Sequence, residues 1–298
     1  MHDITFISYE ALPAGDPDDL LALEILERQG LRCQVCDWRK PFDYRQTRLA
    51  VVRSTWDYHL YIDEFRQYID AVSLQTKLLN SKELLHSNLD KSYLLKLKAL
   101  GLNTVPTAFV EQGAPISSET LAHLTSDFAA EDLIVKPSVG LATFGVRKFS
   151  STESCFSALE IVDYINELAQ TSAVLLQPYL RDVEEYGERS LVFIDGEFSH
   201  AVRKAPFQKL AVAGHAGEEA KSATEAERKF GEQVIASLPE TPLYARVDVV
   251  SSAGSENLRL LELELVEPSL FLGLAAGSAE KFARAIAGRL DPKSTPMD

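Results

Sequence analysis

The segment Leu260-Leu261-Glu262-Leu263-Glu264-Leu265-Val266-Glu267-Pro268 alternates apolar residues with carboxylates inside what otherwise reads as a core strand. At a period of two, Glu262 and Glu264 share one face while Leu261, Leu263 and Leu265 pack on the other. A third carboxylate, Asp248, lies fourteen residues upstream of Glu262 in the β-branched run Arg246-Val247-Asp248-Val249-Val250. Like charges side by side on a half-buried strand repel, and burying them uncompensated is costly, so the pattern calls for positive charge between them. Hard oxygen ligands suit magnesium, which usually shares its shell with phosphates. The first expectation is therefore a Mg-nucleotide site. A solvated face of an antiparallel sheet produces the same alternation, and this segment alone does not decide between the two.

The 298 residues, 46% hydrophobic and 25% charged, describe an ordinary globular chain with room for two or three subdomains. No apolar run is long enough to span a bilayer, and the start has no basic segment followed by an apolar one, so a cytoplasmic location without membrane association is expected. A net charge of -14 disfavours nucleic acid and anionic lipid as partners. Three cysteines, Cys33, Cys36 and Cys155, are too few and too unevenly spaced for a disulfide framework. Cys33-x-x-Cys36 has no second ligand pair for zinc and does not open a helix as a redox motif would, which favours two thiols in a strand.

The N-terminal part alternates strands at 4–8, 32–36 and 49–53 with helices at 18–29 and 62–74, the last leading to Leu78-Leu79-Asn80, an α/β pattern with a parallel sheet. A longer helix is expected from about Asp90 to Leu100, stopped by Gly101. Strands at 107–110, 133–136, 145–149 and 173–177 with a helix near 152–169 make a small α+β region. Long strands then follow at 190–194 and 197–204, joined by the turn Asp195-Gly196, before the two carboxylate strands around a Gly/Ser turn at 251–255. A helix at about 279–290 closes the chain. The acidic cluster Glu218, Glu219, Glu225 and Glu227 is read as a solvated helix face.

Between Leu133 and Lys148, Lys136 precedes a loop of small residues that includes Ser138, Gly140, Thr143 and Gly145, followed by a second strand. Backbone N–H groups of such a loop can fold over phosphate oxygens while Lys136 supplies charge. Gly140 and Gly145 have the Walker A glycine spacing, but Val146-Arg147 replaces its Lys-Ser/Thr, so on this segment alone a plain hairpin loop is the favoured reading.

Lys91 at a helix start, Lys136 before the small-residue loop, a strand ending in Gln177-Pro178-Tyr179-Leu180, Arg246-x-Asp248 and Glu262-x-Glu264, in this order, resemble the ATP-grasp superfamily across nearly the whole chain. The segments Val52 to His59, Asn88 to Lys91, Ser190 to Phe193, Phe198 to Lys204 and Glu264 to Phe271 resemble the bacterial branch that includes the O-ureido-serine cyclo-ligase of D-cycloserine biosynthesis. The resemblance implies an N-terminal parallel α/β domain over 1–88, a central lid subdomain over 89–185 and a C-terminal subdomain with the metal site over 186–298, the last two clamping MgATP. It implies that Lys91 and Lys136 contact ATP, that Gln177, Tyr179 and Leu180 form the adenine hinge, and that Glu184 or Glu188 binds the ribose. Asp248, Glu262 and Glu264 match the metal ligands, and Arg246 matches an arginine that stabilises the transferred phosphate. Where the family usually has Glu-x-Asn followed by Pro-Gly, this chain has Glu264 and Glu267-Pro268-Ser269, which makes Glu267 the alternative last ligand.

The implied chemistry is attack of a substrate carboxylate on the γ-phosphate, followed by displacement of phosphate from the acyl phosphate by an amine, in one molecule or two. For the small-molecule acid, Arg53 at the carboxyl end of a strand, with Trp56 and Asp57, could hold an amino-acid carboxylate and ammonium, although the same residues read equally as capping and packing. Arg203 and Lys204 point to opposite faces of their strand, so at most one enters the site; Arg203 is taken as the substrate candidate. His200 reads at least as well as a satisfied half-buried histidine. Two other readings are an ATP-binding regulatory protein without turnover and a ligase that adds amino acids to a protein; a homodimer is left open.

Overall fold

The computed structural model describes residues 1–128, 132–141, 143–150, 157–180, 187–204, 217–251 and 257–290. Its first sheet is parallel and built from β1 (His2–Ser8), β2 (Cys33–Asp37), β3 (Thr47–Ser54) and β4 (Lys77–Leu79), in the order β2-β1-β3-β4. Strand order reverses between β1 and β3, which opens a crevice outside their carboxyl ends. Helix α1 (Pro17–Arg28) starts where Asp16 and Asp19 form a reciprocal capping box with proline in the first turn, and it stops before Gly30 at φ +82. Helix α2 (Ile62–Ser73) buries Phe65, Ile69 and Val72, one face at helical spacing.

The second sheet is antiparallel, with β5 (Ala108–Val110), β6 (Leu133–Pro137), β7 (Arg147–Phe149) and β8 (Val174–Pro178) in the order β5-β8-β6-β7. The third is also antiparallel. It contains β9 (Glu188–Ile194), β10 (Glu197–Lys204), β11 (Glu218–Ala220), β12 (Tyr244–Val250) and β13 (Arg259–Glu264), in the order β11-β10-β9-β12-β13. The last helix of the described residues, Ser278–Gly288, returns to α1, and its Phe282 packs on Phe6 of β1 and Tyr244 of β12. One apolar core therefore joins the first and third sheets. No helix among the described residues is long and apolar enough to cross a membrane.

Several elements differ from the sequence expectation. The helix expected from Asp90 to Leu100 is α4 (Tyr93–Ala99), and an unexpected helix α3 (Lys82–Asn88) precedes it, with Lys91 in the turn between them. Asp90 makes the break, since its carboxylate accepts from Ser92 N at 2.8 Å and from Ser138 Oγ at 2.7 Å. Helix α5 (Ser118–Leu124) was not expected; helix α6 (Ala158–Leu168) falls within the expected span, whose first residues lie outside the described ones, as does the turn at 252–255. The acidic cluster is not one solvated helix face. Glu218 and Glu219 sit on β11, whereas Glu227 lies in helix α7 (Glu225–Ala236), where it completes a capping box with Thr224 and pairs with buried Arg189 at 2.8 Å. The last helix, Ser278–Gly288, is α8.

The carboxylate strand β13 is fixed on both edges. Asp248 pairs with Glu262, but Val249 pairs with Leu260, so Leu261 is the extra residue of a β-bulge. Leu260 instead of Leu261 therefore joins Leu263 and Leu265 in the core. On the outer edge, Leu260 N donates to Asn103 O at 2.8 Å and Leu263 N donates to the Tyr93 hydroxyl at 3.0 Å. The Asn88 amide donates to Leu263 O at 2.8 Å and accepts from Leu265 N at 2.7 Å. Asn88→Leu would leave two buried backbone groups unsatisfied, at about 1–3 kcal/mol each. A lowered denaturation midpoint is expected, and unchanged stability would show that the asparagine does not anchor this strand.

Candidate active site

The β12–β13 pairing sets Asp248 opposite Glu262 and Arg246 opposite Glu264. Ligand oxygens of Asp248, Glu262 and Glu264 all lie within 4.8 Å of one another. Oxygens around one octahedral magnesium at about 2.1 Å stand about 3 to 4 Å apart, so these residues fit such an ion with modest closure. The alternation read from the sequence is therefore a convergence of three acids and not a dispersed wet face.

Four cations meet these acids. Arg246 grips Asp248 through Nε and Nη2, at 3.0 and 2.9 Å, and its Nη2 also pairs with Glu264. Lys204 also donates to Asp248 Oδ2 at 2.9 Å and pairs with Glu188, while Ser190 Oγ donates to Asp248 Oδ1 at 2.7 Å. Lys91 lies 3.0 Å from Glu262 and donates to Gly140 O at 2.6 Å. Lys136 on β6 feels Glu262 and Glu188 attractively and Lys91 repulsively.

The charges shift accordingly. Burial acts upward on Asp248, but Arg246 and Lys204 outweigh it and hold the carboxyl well below the usual range. Burial likewise opposes Lys91 and Lys136 at Glu262, where the lysines prevail and the net direction is down. Glu264 and Glu188 are each pushed up to about 7, mainly by burial, with Asp248 adding repulsion. Burial lowers Lys136 from the ordinary lysine value.

The small-residue loop reaches this cluster through Lys91. Lys91 N donates to Ser138 O at 3.0 Å, and Val139 and Leu141 pack against the core under the first sheet. Phe144 contacts His59 edge-on, with ring centroids 4.8 Å apart. The Ser138 hydroxyl is committed to Asp90, and Thr143 is exposed. Gly145 has φ +64, and a Cβ there would come within 2.9 Å of Pro137 Cδ, so packing under the loop requires glycine at that position.

At the end of β8, Gln177 is buried and donates to Thr107 Oγ1 at 2.9 Å, and Tyr179 N donates to Asp132 O at 2.8 Å. Lys148 Nζ lies 3.7 Å over the Tyr179 ring, and Leu180 is half-buried. Glu184 lies outside the described residues; Glu188, the other ribose candidate, stands on β9 inside the cluster.

Two substrate candidates are not brought to the site. Arg53 is 1% exposed, donates to Asp19 Oδ1 at 2.7 Å and Pro268 O at 3.2 Å, and lies 5.0 Å from the Tyr244 ring centroid. It falls at a register shift in β3, which leaves its side chain between the two sheets as a strut. Arg203 faces away and pairs with Glu219 at 3.6 Å; it is Lys204, on the other face, that enters the cluster. A register shift in β10 between Phe198 and His200 alters the side-chain parity that a regular strand would give. Trp56 and Asp57 lie just beyond β3, at the crevice. Trp56 Nε1 donates to Glu267 O at 3.1 Å, and Asp57 accepts from Trp38 Nε1 at 2.6 Å. His200 is satisfied by Ser199 Oγ at 3.0 Å and Leu270 O at 2.9 Å. Burial pushes the thiols of Cys33 and Cys36 up to about 12 and about 11, which fits unreactive strand residues; Cys155 lies outside the described residues.

The family model for the N-terminal domain of D-cycloserine synthetase DcsG matches residues 4–80. The cycloserine biosynthesis protein DcsG of Streptomyces lavendulae is 31% identical over 281 residues, which cover 91% of this chain and 93% of that protein. The crystal structure of D-cycloserine synthetase DcsG is similar with a TM-score of 0.86 at 31% identity, covering 97% of this chain and 100% of that one. D-alanine--D-alanine ligase from Bacillus anthracis shares the fold at a TM-score of 0.65 and 14% identity, covering 96% of this chain and 95% of that chain.

Proposed function

The chain belongs to the family of the cycloserine biosynthesis protein DcsG, among the ATP-grasp ligases, and from that premise we propose that it is an ATP-dependent carboxylate-amine ligase for a small amino-acid-like substrate, with ring closure within one molecule as the favoured reaction. The observation that carries this reading is the convergence of Asp248, Glu262 and Glu264, with Arg246, Lys204 and Lys91 paired to them, Lys136 acting on Glu262, and Lys91 also bound to Gly140 O. Such a cluster suits phosphoryl transfer, in which positioning and charge neutralisation supply most of the catalysis.

A magnesium ion held by Asp248, Glu262 and Glu264 would neutralise phosphate charge as it develops. Gln177 to Leu180 hold adenine through their backbone, and Glu188, or Glu184, takes the ribose. Lys91 and Lys136 bind ATP phosphates, and the loop backbone closes over them and excludes water. The substrate carboxylate attacks the γ-phosphate, so that a carboxyl oxygen gains the phosphoryl group and ADP leaves. A nitrogen of the substrate then attacks the acyl carbon, loses its proton, and expels inorganic phosphate with its bonding electrons. Arg246 steadies the charge on phosphate and on the tetrahedral carbon in both steps, which require no protein nucleophile. We assign residues 1–88 to the N-terminal α/β domain, 89–185 to the lid and 186–298 to the metal subdomain. A reducing cytoplasm, where MgATP is abundant, suits the unpaired thiols.

The test is ADP release from Mg-ATP with pools of amino acids, with Glu264→Gln as control. Substrate-dependent ADP from the wild type, falling at least about a hundredfold in the variant, is expected. ATP binding with no substrate-dependent ADP in any pool would favour the regulatory reading, and a mass increase of a protein acceptor would favour ligation to a protein.

A further inference from the structure

Four consecutive carbonyls after β13 are each held by a different side chain. Glu267 O accepts from Trp56 Nε1 at 3.1 Å, Pro268 O from Arg53 Nη2 at 3.2 Å, Ser269 O from Arg246 Nη1 at 3.3 Å and Leu270 O from His200 Nε2 at 2.9 Å. The donors come from the end of β3, from β3 itself, from β12 and from β10, so the segment is locked to both sheets. This frame fixes the Glu267 side chain in the interior, where it is 6% exposed.

Among the described residues Glu267 has no cation of its own. Asp248 pairs with Arg246 and Lys204, Glu262 with Lys91, Glu264 with Arg246, and Glu188 with Lys204. Among the described residues no ion pair reaches Glu267; the Tyr58 hydroxyl hydrogen-bonds its carboxyl group, and Oε2 is buried without a partner. The charged groups that face it are Glu264, Lys91 and Glu262, and Lys91 is already committed to Glu262 and Gly140 O. A rigid, buried carboxyl group without a counter-charge is expensive unless a ligand supplies one.

The surroundings indicate which ligand. Glu267 belongs to the metal strand's extension, yet it lies outside the triad whose oxygens converge within 4.8 Å. Its peptide is tied to Trp56, just beyond β3, and Trp56 meets Tyr9, just beyond β1, with ring centroids 6.3 Å apart. These are the carboxyl ends on either side of the strand-order reversal, where open α/β sheets bind ligands. Half-buried aromatic rings there favour an organic cation over a hydrated one. We propose that Glu267 is the subsite that receives the ammonium group of the amino-acid-like substrate.

The inference rests on the ligase reading only for which carboxyl reacts; ammonium binding stands apart from turnover. The experiment is a thermal-shift titration in saturating Mg-ADP with D- and L-alanine and D- and L-serine, each against its des-amino acid, propionate or 3-hydroxypropionate. Wild type is expected to bind at least one amino acid ten times more tightly than its des-amino partner. Glu267→Gln should lose that preference with Mg-ADP affinity within twofold of wild type, and Glu267→Asp should keep the preference at weaker affinity. The melting temperature of the unliganded Gln variant should equal or exceed that of wild type, because an unpaired acid has been removed. No preference in wild type, a preference retained in Glu267→Gln, a Gln variant that fails to fold, or a loss of Mg-ADP affinity that marks Glu267 as a metal ligand would each overturn the subsite. A Glu267-dependent preference without ADP release from Mg-ATP would retain the subsite and refute the ligase reading.

Discussion

Arg246→Met is expected to lower ATP-dependent ligation by about a hundredfold to a thousandfold, or roughly 3–4 kcal/mol of transition-state stabilisation. The guanidinium is buried at the meeting point of Asp248, Glu264 and Ser269 O, so it is oriented before any ligand arrives. That preorganisation separates a catalytic cation from a mobile surface one. Methionine keeps most of the stem volume and removes the charge, leaving Glu264 without its cation and Asp248 with Lys204 alone. Breaking a buried pair from one side costs about 3–5 kcal/mol, so the melting temperature should fall as well. Arg246→Lys should recover part of the stability and little of the rate, because a single ammonium cannot reproduce the fork that spans two acids and a carbonyl. Steady-state ADP release and thermal melting of both variants check this. Activity of Arg246→Met within threefold of wild type would remove Arg246 from the chemistry.

The acids of this site were legible because carboxylates interrupt strongly β-forming runs, a pattern that a folded chain keeps only when something compensates the charge. Lys91 and Lys136 could be placed near the acids through the order of motifs, whereas Lys204 could not be separated from Arg203. The choice depends on a register shift at Phe198–His200 that leaves no composition signal. Arg53 was readable as a residue at a strand end, but its fate was set by Asp19 and the Pro268 carbonyl, 34 residues before it and 215 after it. Asn88 is similar: its amide closes the edge of a strand 175 residues away. The capping boxes at Asp16 and Thr224 are local, whereas the Glu227–Arg189 pair that makes the second one part of the core spans 38 residues. Local chemistry and period were visible, while long-range partners that decide between two roles for one residue were not.

Magnesium affinity should depend strongly on nucleotide, and Lys91 should reverse sign between the two states. Without phosphates, the carboxylates that would hold the ion are satisfied by cations of the chain: Lys91 on Glu262, Arg246 on Asp248 and Glu264, and Lys204 on Asp248. A divalent ion entering alone must compete with those pairs, and Mg2+ gives up water reluctantly. ADP or an ATP analogue changes the balance, because its phosphates give the lysines and arginine other partners and add oxygen ligands of their own. At least about a hundredfold tighter Mg2+ binding with nucleotide is expected, a coupling of roughly 2.7 kcal/mol, and linkage requires that Mg2+ tighten nucleotide by the same factor. Lys91→Gln removes an internal competitor, so it should raise Mg2+ affinity in the free protein; it also removes a phosphate contact, so it should lower affinity for Mg-ADP. Calorimetric titration of Mg2+ into both proteins, with and without ADP, reads both signs. Equal Mg2+ affinity with and without nucleotide, or a Lys91→Gln effect of the same sign in both states, would mean that the acids and cations do not exchange partners when the nucleotide binds.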